Sequence, residues 1–250
     1  MEPLRQQFSH YPALPAPVKL PLQVLPEHPC VYLPGRVARM RGFAVGKMPG
    51  EMYHAFMDAG FRRSGRLVYQ PICAGCRECV PIRLAVNEFQ PSKSQRRCAR
   101  KNADLSVEIG APVATDEKFE LYCRYLRDRH GGEIEGREAF ERFLYESPVQ
   151  TVEFIYRSGG GKLVAVGICD VCDQSVSSVY FYFDPTESRR GLGTYGVLRE
   201  VDYTRLRNIP HYYLGYWVRR CRSMQYKAEI GAGELLRDDG VWLRFALGYG

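Results

Sequence analysis

Three closely spaced apolar runs near the middle of the chain constrain its fold most: TVEFIYR (151–157), KLVAVGICDV (162–171) and SVYFYFD (178–184). Each is short, rich in β-branched and aromatic residues and bounded by turn formers, the pattern of strands, and the last two are joined by Cys172-Asp173-Gln174-Ser175. The third run passes into DPTESRRGLGTYG (184–196), whose glycines 191, 193 and 196 open a helix expected to reach about Leu206. A strand HYYLGYW (211–217) and a last one near VWLRF (241–245) follow. Strands that feed a helix through a glycine turn and then resume must pack that helix on the sheet, so the fold class is α+β.

Upstream, Phe119, Tyr122, Cys123 and Leu126 recur at helical spacing. Asp116, Glu117 and Glu120 precede them, Arg127, Arg129 and His130 fill the last turn, and Gly131-Gly132 stops a helix over 116–130. A second helix is expected over about 137–146 on Phe140, Phe143 and Leu144. Strands are expected in CVYL (30–33), RVARMRGFAV (36–45), RLVYQPIC (66–73) and VPIRL (80–84), with a short helix in EMYHAFMDAGF (51–61) and a polar one in SKSQRRCARKN (92–102). Seven prolines among the first 29 residues predict an extended arm over 1–28, because proline lacks the backbone donor that helices and inner strands need. The texture changes at Ala111-Pro112, which divides the rest into units 29–110 and 111–250.

Charge sorts by the same division. Residues 1–110 hold 16 Lys and Arg against 8 Asp and Glu, whereas 111–250 hold 19 against 20. A basic half implies a polyanionic partner, most often nucleic acid. The sharpest part is the polar helix, where Lys93, Arg96, Arg97, Arg100 and Lys101 fall at i, i+3, i+4, i+7 and i+8 with no acid between Glu88 and Asp104. Like charges at that spacing repel, so the arc reads as a polyanion contact or, failing that, a solvated face. Arg36, Arg39, Arg41, Arg62, Arg63 and Arg66 are candidates to extend the patch, the other reading of each being an ordinary surface arginine.

Nine cysteines, an odd number with no export signal, suit a reducing compartment, and no run nears the roughly 20 apolar residues that span a bilayer; the expected address is the cytoplasm. Cys73, Cys76 and Cys79 repeat every third residue, and with Cys30 or Cys98 as a fourth ligand they suit Zn²⁺ or an iron-sulfur cluster; the other reading is reduced thiols packing a turn. Cys169 and Cys172 read as packing residues. The glycine turn has the placement of a coenzyme A site in GNAT-type acetyltransferases, but Ser188 stands where that motif wants Arg or Gln. No Ser/His/Asp order, paired catalytic carboxylates or HExxH is present.

The motifs CVYLPGR (30–36), LVYQPICAGCRECVPIRL (67–84), SKSQRRCARKNADL (92–105), YFYFDP (180–185), LGT (192–194) and YYLGYWVRRCRSMQYK (212–227), with Glu234-Leu235-Leu236, resemble the bacterial aspartate/glutamate leucyltransferases of the arginyl-tRNA-protein transferase family. The departures are Ser223 for a lysine, and Ile230 and Ala232 for an aromatic residue and a proline. The resemblance implies a cysteine-bearing basic N-terminal domain, a GNAT-like acyltransferase C-terminal domain and no cofactor for the transfer. The implied reaction moves leucine from leucyl-tRNA to proteins beginning with Asp or Glu, marking them for degradation by the N-end rule. Arginyl-tRNA as donor, an acetyl-CoA acetyltransferase with a basic docking domain, and a non-catalytic RNA-binding module are the competing classes.

For that reaction the candidate catalytic residues are Asp184 before the glycine turn, Glu200 on the next helix, and Tyr216 and Tyr226, with Tyr182 as a further hydrogen-bond donor. Lys93, Arg96, Arg97, Arg100, Lys101 and Lys227 are the candidate tRNA contacts. Arg39, Arg83 and Arg36 are candidates for the acceptor carboxylate, which suits a guanidinium fork.

Overall fold

The computed structural model describes residues 21–131 and 136–244. Residues 1–20 of the expected arm, Gly132 and Phe245 lie outside them. The described residues open with β1 (Gln23–Val24), β2 (His28–Pro29) and β3 (Val37–Ala38). The last two pair antiparallel, and residues 30–36 between them form a turn rather than the expected CVYL strand. Pro34 restricts the backbone there and Gly35, at φ +74°, reverses it, closed by Cys30 N–H donating to Arg36 O at 2.8 Å.

β4 (Met40–Ala44), α1 (Gly50–Asp58), β5 (Arg62–Ser64) and β6 (Leu67–Pro71) complete a four-stranded sheet of order β1-β4-β6-β5. α1 starts behind Pro49 and buries Tyr53, Phe56 and Met57, one stripe of helical period. β5 was not expected from the sequence, since its charged residues Arg62 and Arg63 read as surface.

Beyond the cysteine loop come β7 (Val80–Ala85), α2 (Lys93–Lys101), β8 (Ser106–Gly110), α3 (Asp116–His130), α4 (Arg137–Phe140), β9 (Thr151–Arg157), β10 (Leu163–Cys172), β11 (Ser175–Phe183), α5 (Leu192–Leu206), β12 (His211–Trp217), α6 (Arg222–Gln225), β13 (Gly233–Leu236) and β14 (Trp242–Arg244). α2 begins on a capping box between Ser92 and Gln95, and α3 on Thr115. α4 continues as one π-helical turn over Glu141–Tyr145, so the helix expected to 146 is present but not α-helical throughout.

The main sheet has the order β14-β13-β7-β12-β11-β10-β9-β8, antiparallel except at β11–β12, which α5 connects as a crossover. β7 lies between β12 and β13, and β8 pairs with β9. The sheet therefore runs across residue 110, where sequence texture placed a boundary. Texture follows solvation of faces, whereas membership of a sheet is set by which strand edges meet.

α5 and α2 cover one face of this sheet, with Leu192, Tyr195, Leu198 and Val201 packed on Val164, Ala165 and Val176. α3 and α4 cover the other, with Leu121, Phe140 and Leu144 on Val166, Ile168 and Tyr182. β10 is buried on both faces, the reason its sequence is a continuous apolar run.

The small sheet is bolted to the large one by buried polar contacts. The Arg63 guanidinium donates to both Asp170 oxygens, at 2.6 and 2.7 Å, and Thr151 Oγ1 adds a third bond at 2.8 Å. Tyr216 hydroxyl donates to Gly60 O at 2.8 Å.

Candidate active site

The two parallel strands of the main sheet separate soon after they meet. β11 pairs with β12 only from Ser175–Ser177 to His211–Tyr213, although β7 continues along β12 as far as Trp217. Both strands carry an extra residue at that level. Ile168 faces Tyr180 and Cys169 faces Ser178, which leaves Val179 unpaired in β11; Tyr213 faces Arg83 and Gly215 faces Ile82, which leaves Leu214 unpaired in β12. Gly215 takes φ +83°, a region open to glycine. Bulges twist strands apart and re-aim their side chains, and they concentrate beside active sites.

Two buried titratable groups stand at this divergence. Glu200 on α5 is 1% exposed and accepts a hydrogen bond at Oε2 from the Tyr212 hydroxyl, with Cys169 and Ser178 also beside its carboxyl. Gly167 in β10 makes room for it: a Cβ there would lie 2.7 Å from Oε1. Burial pushes the Glu200 carboxyl up to about 7, despite the opposing hydrogen bonds of Tyr212, then Cys169 and Ser178. Lys227 is 9% exposed, and its Nζ donates to Leu214 O and Tyr216 O at 2.7 and 2.9 Å, two carbonyls of the stretch that β11 no longer pairs. Burial, and then the charge of Arg62, bring its ammonium down to about 7. A carboxyl and an amine that both change protonation near neutrality are suited to moving protons at cellular pH.

The profile described as "Arginine-tRNA-protein transferase, N terminus" matches residues 28–97, and its C-terminal counterpart matches 117–237. A protein of Stenotrophomonas maltophilia (strain K279a) named aspartate/glutamate leucyltransferase is 43% identical over 210 residues, covering 80% of this chain and 84% of its own. One of the same name from Thiobacillus denitrificans (strain ATCC 25259 / T1) is 36% identical over 236 residues, covering 93% and 98%. The chain belongs to the arginine-tRNA-protein transferase family. Its fold is similar to that in the crystal structure of FemX, with a TM-score of 0.50, 9% identity and 84% of each chain covered, and the expected α+β class holds.

In this transferase several expected site residues take other positions. Asp184 is buried at the end of β11, where it accepts from Thr186 N–H at 3.0 Å, Thr186 Oγ1 at 2.7 Å and Lys162 Nζ at 2.9 Å. Burial raises its carboxyl, but Lys162 and Thr186 outweigh that and hold it below its ordinary value, which suits a turn cap and not a base. Tyr216 is occupied with Gly60 O, and Tyr182 is buried in the aromatic core against Tyr145. Tyr226 keeps 41% of its surface exposed, beside Lys227. Lys227, expected at a phosphate, is engaged inside with carbonyls because the separating strands leave those acceptors for it.

The cationic candidates divide sharply. Lys93, Arg96, Arg97, Arg100 and Lys101 are all exposed on α2, whose inner face packs on α5. Arg83, expected to take an acceptor carboxylate, is already held by Asp58 and Glu234, each at 2.7 Å, and lies over the Trp242 ring at 4.3 Å. Arg36 is exposed, and Arg39 is half-exposed near Glu27 at 3.9 Å. Arg62 and Arg63, read as surface patch, are buried, and Arg62 donates to Phe61 O at 2.6 Å and Gly215 O at 3.2 Å. Their one legible signal was position, paired cations just ahead of a strand-like run.

The cysteine loop gathers Cys30, Cys73, Cys76 and Cys79 near one another. Burial, followed by the other three sulfurs, pushes the Cys79 thiol up to about 12, and Cys73 Sγ bonds the Arg39 backbone at 3.4 and 3.6 Å. Among the described residues no three His, Cys, Asp or Glu are placed to hold one metal ion. Cys169 and Cys172 are buried packing residues. Ala232, where family resemblance expects proline, sits at φ +48°, which a proline ring cannot adopt; this loop follows its own course.

Proposed function

We propose that the protein transfers leucine from leucyl-tRNA to the N-terminal Asp or Glu of other proteins, exposing a leucine that marks them for degradation. The observation that carries this is similarity to aspartate/glutamate leucyltransferases at 36–43% identity over most of both chains. The exposed cations of α2 support an RNA donor. Ser188, in place of the Arg or Gln that coenzyme A binding wants, speaks against acetyl transfer.

The donor ester links leucine to the 3′-terminal ribose, and the nucleophile is an α-amine whose ordinary pKa is about 8. At neutral pH most of the amine carries an extra proton, which passes to water before attack; the attacking nitrogen then sheds a second proton as the C–N bond forms, and the ribose oxygen gains one as the C–O bond of the tetrahedral intermediate breaks. Glu200, titrating about 7 behind the strand gap with Tyr212 bonded to it, is the group suited to accept and return that proton through Tyr212 and the gap. Lys227 holds the open edge of β12 in shape by donating to Leu214 O and Tyr216 O.

Among the described residues no helix is long and apolar enough to cross a membrane, and we place the reaction in the cytoplasm, where charged tRNA and its protein acceptors meet. Purified protein, radiolabelled leucyl-tRNA and peptides beginning with Asp, Glu or Ala test the assignment, with arginyl-tRNA run in parallel. Label on the Asp and Glu peptides alone is expected, since a site built to pair a carboxylate rejects a substrate lacking one. Equal labelling of the Ala peptide, or labelling only from arginyl-tRNA, overturns it.

A further inference from the structure

A cavity of about 350 Å³ lies between α2 and the turn that leads into α5, lined by Arg97, Cys98, Lys101, Arg189, Gly191 and Thr194 among others. Its walls come from segments some 90 residues apart, and they are locked together. Asn102 Nδ2 donates to Arg190 O at 2.9 Å, Cys98 Sγ donates to Gly191 O at 3.4 Å, and Lys101 Nζ donates to Arg189 O. Arg190 is the clasp of this arrangement: Asp104 holds it at 2.8 Å and Glu187 at 2.7 Å, which neutralises it and uses up both nearby carboxylates.

The remaining charges are uncompensated. Arg97 and Arg189 have no carboxylate partner among the described residues, and Lys101 is bonded to a carbonyl, which leaves its charge in place. Three like charges gathered around one rigid concavity repel one another unless an anion enters. The first turn of α5, which starts at Gly191 without a side-chain cap, contributes Gly191 and Thr194 to that wall, and a helix N-terminus carries partial positive charge. Neutral ligands gain nothing from this lining, and a carboxylate is matched by a single guanidinium; several cations around one concavity match the successive single charges of a phosphodiester backbone. From Leu192, α5 runs under the sheet to Glu200, eight residues or about 12 Å at 1.5 Å per residue.

We propose that this cavity is a phosphate site for the single-stranded 3′ end of the RNA donor, seating it so that the terminal ester reaches the strand gap above Glu200. The inference rests on the leucyl-tRNA reading and assigns to Arg97, Lys101 and Arg189 a role distinct from that of Lys93, Arg96 and Arg100. Those three project from the same helix outside the cavity and meet the body of the tRNA.

Three donors separate these roles: leucyl-tRNA, a leucylated CCA trinucleotide, and 3′-leucyl-adenosine, which carries no phosphate. The double variant Arg97→Gln/Arg189→Gln, both side chains exposed and the fold checked by circular dichroism, should raise KM for the first two about tenfold at low salt relative to leucyl-adenosine. The slope of log KM against log salt should fall by about 0.7 for each phosphate that the variant no longer neutralises. Lys93→Gln/Arg100→Gln should raise KM for leucyl-tRNA while shifting the trinucleotide far less. Equal effects of Arg97→Gln/Arg189→Gln on all three donors, or none, overturn the proposal, as does coenzyme A binding in the cavity by calorimetry. Binding of an unacylated ACCA oligonucleotide to wild type and variant reads the cavity without transfer. Oligonucleotide binding abolished in the variant, with no leucine transfer by the wild type, refutes the leucyltransferase reading while the phosphate site stands; transfer with unchanged oligonucleotide binding refutes the site alone.

Discussion

The arginines of α2 and the arginines of β5 and β7 look alike in sequence and end in opposite environments. Arg96, Arg97 and Arg100 are exposed with no carboxylate nearby, whereas Arg63 lies wholly buried against Asp170, and Arg83 is clamped between Asp58 and Glu234. The difference lies in what the rest of the fold brings to each. A guanidinium can leave water only where carboxylates or carbonyls replace its hydration, and β5 and β7 meet such partners from β10, α1 and β13. The lesson is that a basic patch counted from sequence must be discounted for every cation the tertiary structure consumes; what survives here is the face of α2 and its neighbour Arg189.

The largest test of this contrast is Arg63→Ala, which leaves Asp170 as an uncompensated buried charge. It should cost about 3–5 kcal/mol of stability in urea denaturation. A cost below about 1 kcal/mol would show the pair to be solvated and the contrast false.

Next in size is Glu200→Gln. The folded protein holds the Glu200 proton up to about pH 7, against an ordinary value of 4.5, so it binds that proton more tightly than the unfolded chain does. Stability from this group is full below about pH 4.5 and is lost as pH rises to about 7, on the order of 3 kcal/mol in all. Lys227 works in the opposite sense: its folded value of about 7 lies below the ordinary 10.5, so the unfolded chain binds more protons between them and stability rises with pH over that window. The Gln variant should flatten the fall between pH 4.5 and 7, keep the alkaline rise, and lower kcat by about a hundredfold if Glu200 moves the proton. An unchanged pH profile of stability would place its carboxyl in contact with water. An unchanged kcat would leave it a packing role only.

On the exposed side, Lys93→Glu with Arg100→Glu should raise KM for leucyl-tRNA about tenfold at low salt and change stability by less than about 0.5 kcal/mol. A loss of stability comparable to that of Arg63→Ala would erase the distinction between the two regions. The smallest effect belongs to the backbone near the buried cluster. Ala232→Gly removes the Cβ from a left-handed position worth about 1–2 kcal/mol and gives back part of that through a freer unfolded chain, for a net gain below about 1 kcal/mol in melting experiments.

Much was determined by the sequence alone, because it depended on neighbours along the chain. α3 between Thr115 and Gly131, the β10–β11 hairpin, α5 behind its glycines and the charged arc of α2 all follow from periodicity, caps and turn residues. The motifs likewise carried the family. Tertiary structure decided what depends on residues far apart. β7 lies between β12 and β13 because their edges meet, Asp184 caps a turn because Lys162 and Thr186 reach it, and Lys227 turns inward because separating strands leave two carbonyls open. Glu200 drew attention in the sequence only as an acid on a helix; Gly167 and Tyr212, 33 and 12 residues away, give it a buried seat and a carboxyl near neutrality. Hydration is settled by whatever atoms replace water, and those atoms are assembled only when the chain has folded.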